Sequence, residues 1–137
     1  MKVAVRYYSK SGNTRKLAEA VGKALGVEAK TTDSPVTEHV DLLFLGSAVY
    51  ATGVDEQVKA FIAGLDPKKV GKVVNISTAA LLPSTYSQVQ KLLAEKKIPL
   101  SEKEFHCRGQ FHFLHRGKPD AEDIRNCVEF AKSMIRE

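Results

Sequence analysis

Tryptophan is absent and cysteine is scarce: the chain has only Cys107 and Cys127. They do not form a C-x-x-C pair, which removes the sequence basis for thioredoxin-like redox or zinc-ribbon chemistry. No apolar run exceeds a few residues, so no membrane-spanning helix is expected. The first residues, Met1-Lys2-Val3-Ala4-Val5, turn strand-like at once, without the apolar stretch and small-residue cleavage site of a secretory signal. A cytoplasmic protein is expected. The Gly-x-x-x-x-Gly-Lys-Ser/Thr pattern of nucleoside triphosphatases is missing, and so is the Gly-x-Gly-x-x-Gly dinucleotide fingerprint. There is no repeat, low-complexity tract or linker.

With 137 residues, 43% of them hydrophobic, the chain fits one domain spanning 1–137 that needs no staple to fold. Net charge is +5, from 21 basic and 16 acidic residues. The basic residues do not cluster among aromatics, so nucleic-acid binding is not indicated. The excess favours anionic ligands or acidic partners.

Short apolar runs alternate with amphipathic stretches. Strands are expected over Val3–Tyr8, Val27–Thr31, Asp41–Ser47, Lys72–Ser77 and Glu104–Phe113. Helices are expected from about Thr14 to Leu25, Asp55 to Leu65, Tyr86 to Lys97 and Pro119 to Ile135. Leu17, Ala18, Val21 and Leu25 make one stripe on the first helix, and Gly26 follows as its stop. Asp120 with Asp123 marks the start of the last helix. Leu42-Leu43-Phe44-Leu45 is apolar throughout, as expected of a strand covered on both faces. Cys127 falls on an apolar helical stripe and is expected to be a core thiol. This alternation predicts an α/β domain, a three-layer sandwich with five parallel strands. In such sheets ligands bind outside the carboxyl ends of the strands, where strand order reverses.

The first loop at that edge is Ser9-Lys10-Ser11-Gly12-Asn13-Thr14. It carries three hydroxyls and an amide and runs straight into a helix. The first N–H groups of a helix have no intrahelical partner, and the dipole adds positive charge there. Gly12 and Asn13 are suited to backbone angles that fold N–H groups around an anion. The plain alternative is a polar turn in which Ser11 or Thr14 caps the helix. The density of donors favours a phosphate site.

Tyr7-Tyr8-Ser9-Lys10-Ser11-Gly12-Asn13-Thr14, followed by Leu17-Ala18 and Val21, resembles the FMN phosphate loop of flavodoxins. The resemblance extends over the whole chain and, with an uninterrupted last strand, is similar to the short-chain group. It implies strand order 2-1-3-4-5, bound FMN, and electron exchange with redox partner proteins. It also implies that Ser47-Ala48-Val49-Tyr50-Ala51-Thr52-Gly53 passes the flavin ring, with Tyr50 stacked on it and Gly53 free to let a peptide flip. Ser77-Thr78-Ala79-Ala80 would bring backbone to the pyrimidine end, the small Ala79 and Ala80 allowing close approach.

His106 and His112 fall on one face of the last strand, six residues or roughly 20 Å apart, too far to share a metal. His115, Arg116 and Lys118 form a basic loop on the ligand-bearing rim. Three functions remain open. One is an FMN electron carrier. The second is a small FMN oxidoreductase acting on a quinone or porphyrinogen. The third is a flavin-free binding module. A phosphoacceptor receiver is disfavoured, because Ser9-Lys10-Ser11 and Gly46-Ser47 stand where it needs acidic residues.

Overall fold

A computed structural model of the chain describes residues 1–49, 53–80, 84–110 and 115–136. The elements alternate as β1 (Val3–Tyr7), α1 (Asn13–Leu25), β2 (Ala29–Thr31), β3 (Val40–Val49), α2 (Glu56–Ala63), β4 (Val70–Ala79), α3 (Tyr86–Lys96), β5 (Phe105–Arg108) and α4 (Ala121–Ile135). The strands form one sheet in the order β2-β1-β3-β4-β5, every pairing parallel. This is the expected flavodoxin-like order. It reverses at β1: the chain steps outward to β2, then returns to β3 on the other side.

The apolar run in β3 is explained by its two faces. Leu42 and Phe44 pack toward α1 and α4, with Leu17, Val21, Cys127 and Ala131. Leu43 and Leu45 pack toward α2 and α3, with Val58, Ile62, Val89 and Leu93. Phe44, Leu43 and Leu45 are each 0% exposed, and burying each side chain contributes roughly 1.5–3 kcal/mol. The expected core position of Cys127 is confirmed.

Local end signals hold at two places. Gly26 closes α1 at φ 75°, its N–H donating to the Gly22 carbonyl. Asp120 and Asp123 form a reciprocal capping box on α4, at 2.9 and 3.0 Å.

Other boundaries shift. β3 and β4 run two residues past the expected ends, to Val49 and Ala79. β5 is shorter than the predicted Glu104–Phe113. Its ladder ends at Arg108, and the Gln110 N–H turns away to the Lys118 carbonyl at 2.9 Å. Arg6 is 8% exposed within β1, in a layer otherwise apolar. Its guanidinium donates to the carbonyls of Ser34, Pro35 and Val5 at 2.9, 3.2 and 3.1 Å, stitching the loop between β2 and β3 to the sheet.

Candidate functional site

After Tyr7 the chain leaves β1 at the carboxyl edge of the sheet. The Gly12 N–H donates to Ser9 Oγ at 3.0 Å, which folds residues 9–12 into a tight turn. Gly12 stands at the N-cap of α1 with φ 91° and no side-chain cap bond. The N-cap position is therefore held by Gly12, not by Ser11 or Thr14. The left-handed position is filled by Gly12, because Asn13 is already the first helical residue.

The next two side chains tie the turn to the rest of the fold. Asn13 is 5% exposed and donates through Nδ2 to the Gln110 carbonyl at 3.0 Å. Thr14 is 0% exposed. Its hydroxyl meets Thr78 Oγ1 at 3.0 Å and the Ser47 carbonyl at 3.4 Å. One residue of the loop thus touches the segment after β5, and the other touches β3 and β4. Ser9 and Gly12 are half-buried, while Lys10 and Ser11 are exposed. The close approach of α1 to the sheet depends on Gly46: a Cβ there would lie 2.8 Å from Thr14 Cγ2.

Under the loops after β3 and β4 lies a hydrogen-bonded polar layer. Ser47 Oγ meets Thr85 Oγ1 at 2.8 Å, and Asn75 Nδ2 donates to Thr85 Oγ1 at 3.1 Å and Glu104 Oε1 at 3.3 Å. Ser84 Oγ donates to Glu104 Oε1 at 2.6 Å and lies 3.3 Å from Ser77 Oγ. Ser47, Asn75, Ser77 and Thr85 are all 0% exposed. The side chains of Ser47, Ser77 and Thr78 thus hold the ends of β3 and β4 in place. Ala48, Val49, Ala79 and Ala80 are likewise buried. Tyr50, Ala51 and Thr52 lie outside the described residues, as does His112.

The rim beyond β4 is basic. Arg108 Nη1 donates to the Ala80 carbonyl at 2.9 Å, and His115 Nε2 lies 3.1 Å from the same oxygen. A carbonyl only accepts, so that nitrogen carries the proton. Lys118 Nζ pairs with Asp120 at 2.8 Å and Asp123 at 3.3 Å. Tyr86 begins α3, as expected, and donates its hydroxyl to the Ser101 carbonyl at 2.9 Å.

The flavodoxin domain model matches residues 4–116. The chain belongs to the flavodoxin domain family. A relative, an uncharacterised protein of Methanocaldococcus jannaschii, is 29% identical over 99% of both chains. Among solved structures, a flavodoxin from the domain Archaea matches with TM-score 0.68 and 17% identity over 99% of this chain and 97% of that one. Oxidised flavodoxin 2 from Bacillus cereus gives TM-score 0.71 and 17% identity over 99% of both. Rubredoxin oxygen:oxidoreductase from Desulfovibrio gigas gives 0.74 and 12% identity, over 98% of this chain and 35% of that one. A flavodoxin-like fold implies a flavin cofactor.

The thiols add no reactive group to this flavodoxin fold. Burial pushes Cys107 and Cys127 up to about 12, so both stay protonated at neutral pH. Among the described residues, no group of three or more His, Cys, Asp or Glu side chains is arranged to hold a metal. No helix among them is long and apolar enough to cross a membrane.

At the start of α4, the hydrogen bond from Lys118 lowers Asp120 to about 2, with the Asp123 backbone N–H contributing next. A carboxylate in an unfolded chain titrates near about 4. The Asp120 contribution to stability is therefore full above about pH 4 and fades as pH falls toward 2. Asp120→Asn keeps the cap but loses the charge. Thermal unfolding should show it less stable than wild type at pH 6, with the gap closing at pH 2 to 3.

Proposed function

We propose that this chain, one flavodoxin-like domain over 1–137, binds FMN at Ser9–Thr14 and carries electrons between redox partner proteins in the cytoplasm. The observation that supports it most is Gly12 at φ 91°, opening α1 at the carboxyl edge of β1. A left-handed residue before a helix turns successive N–H groups toward one point, and the helix dipole favours an anion there. Such a turn suits a terminal phosphate.

FMN supplies one- or two-electron transfer through its ring. The chain holds the phosphate with the Ser9–Thr14 turn and keeps that turn fixed through Asn13–Gln110 and Thr14–Thr78. It presents the ends of β3 and β4 as backbone. Ser47-Ala48-Val49-Tyr50 and Ser77-Thr78-Ala79-Ala80 are the segments assigned to the ring. With FMN bound, the charge of +5 falls to about +3, since a phosphate monoester carries about −2. Electron exchange is accordingly expected to be fastest with an acidic partner and to slow as salt is added.

The decisive experiment is titration of the apoprotein with FMN and with riboflavin, followed by fluorescence quenching. Two charge-assisted hydrogen bonds to the phosphate contribute about 3 kcal/mol, so FMN should bind on the order of a hundredfold tighter. Equal affinity for riboflavin would reject the phosphate loop.

A further inference from the structure

We propose that Arg108, fixed on the Ala80 carbonyl beside His115, raises the reduction potential of the flavin bound at this site. The inference rests on the FMN reading above. Ala80 follows the last residue of β4, and its N–H reaches the carbonyl of Val49, the last residue of β3, at 3.4 Å. That carbonyl therefore stands at the carboxyl edge where β3 and β4 end side by side. This is the edge at which ligands of such sheets bind. Arg108 ends β5 in register with Ala79, and its guanidinium returns to Ala80 at 2.9 Å.

His115 reinforces the arrangement from a second direction. Its imidazole reaches the same oxygen at 3.1 Å, from a backbone at φ 51°. The left-handed region is uncommon for a residue other than glycine and costs free energy, so surrounding structure must hold it there. Gln110 does so in part: its side chain accepts from the Gly117 N–H at 3.1 Å, and its own N–H donates to Lys118. The carboxylates that open α4, Asp120 and Asp123, are engaged by Lys118.

Charge decides the consequence. Taking up two electrons and one proton turns the neutral oxidised ring into an anion. A cation at the edge of the site binds that anion better than the neutral ring. Differential affinity of this kind is a shift in potential, and charge near the ring is one of the protein's levers on a flavin. For an exposed guanidinium the preference should be about five- to tenfold. For a two-electron couple this is about 20–30 mV upward, at about 30 mV per tenfold.

The test is spectroelectrochemical titration of the FMN-loaded full chain, with FMN affinity measured alongside. Arg108→Gln should lower the two-electron midpoint by about 20–30 mV, weakening reduced FMN five- to tenfold more than oxidised FMN. Arg108→Lys should restore most of the shift, because it keeps the charge. Lys72→Gln removes a cation near the other end of β4, roughly 26 Å away at strand rise, and should leave the midpoint unchanged. Added salt should move wild type toward Arg108→Gln. An unchanged midpoint in Arg108→Gln would overturn the inference. So would an equal drop in Arg108→Lys or in Lys72→Gln. Failure of wild type to take up FMN would instead reject the cofactor assignment.

Discussion

Gly12→Val is expected to weaken FMN binding by about 10- to 100-fold, with a smaller loss for riboflavin. The cause is the backbone. A Cβ at Gly12 meets nothing within 4 Å, so there is no neighbour to collide with. At φ 91°, however, a β-branched residue is a genuine outlier. Holding it there costs roughly 1–3 kcal/mol, and about 1.4 kcal/mol is a factor of ten in affinity. The chain escapes that strain by opening the turn, which removes the folded N–H groups that suit a phosphate. Riboflavin has no phosphate and should lose little. Cys127→Ala is the matched control: the thiol is 0% exposed in the layer between α1, α4 and the sheet. It should lower the melting temperature and leave FMN affinity close to wild type. Equal losses for both ligands, or an equal FMN loss in Cys127→Ala, would place the phosphate elsewhere.

Gly12 could be singled out from the sequence because its role is local. A glycine between polar residues at a strand-to-helix junction announces a backbone need. Gly26 and the Asp120–Asp123 box were legible for the same reason: each acts within a few residues of itself. The continuous apolar run of β3 correctly indicated a strand with two buried faces. What the sequence did not show is who holds the loop. Asn13 bonds a carbonyl 97 residues away, and Thr14 a hydroxyl 64 residues away. No spacing rule connects such positions. Their polarity suggested ligand donors, and the structure adds a protein partner for each.

Glu104 shows the same limit. As a residue it opened an alternating stretch and read as the start of a strand. In the structure it accepts from Asn75 and Ser84 beneath the loop after β4. Asn75 was the available signal, an amide between Val74 and Ile76 in a strand otherwise apolar at that depth. A buried amide needs partners, and that alone marks a polar layer without saying which residues complete it. The overlong prediction for β5 has a related origin. Alternation continues in the sequence past Arg108, but among the described residues the backbone ladder to β4 closes with the Gly109 N–H on the Ala79 carbonyl. Gln110 then joins the basic loop through Lys118 and the Ser9–Thr14 turn through Asn13.

Gly46→Ala should be the most damaging single-methyl change near the site. Gly46 pairs with Tyr7 across β1 and β3, on the face that receives the first turn of α1. Its added Cβ would lie 2.8 Å from Thr14 Cγ2, closer than such atoms approach, and a tight 3.1 Å from Tyr7 Cβ. Thr14 has no easy retreat, because it is fully buried and its hydroxyl is tied to Thr78 and the Ser47 carbonyl. Either those bonds break or α1 moves outward and carries Gly12 with it. Overpacking of this kind costs about 1–3 kcal/mol of stability, measurable by denaturant unfolding. FMN affinity should fall about tenfold in parallel. The cause can be isolated by a second change. Thr14→Ser deletes the methyl in the way and keeps the hydroxyl. Alone it leaves a small void and should cost about 1 kcal/mol or less. Combined with Gly46→Ala, it should recover most of the lost stability and FMN affinity. Neighbours that share a contact are non-additive by 0.5 kcal/mol or more, whereas independent sites sum. A double variant as unstable as the sum of the singles would mean that Gly46 matters for some reason other than the approach of Thr14.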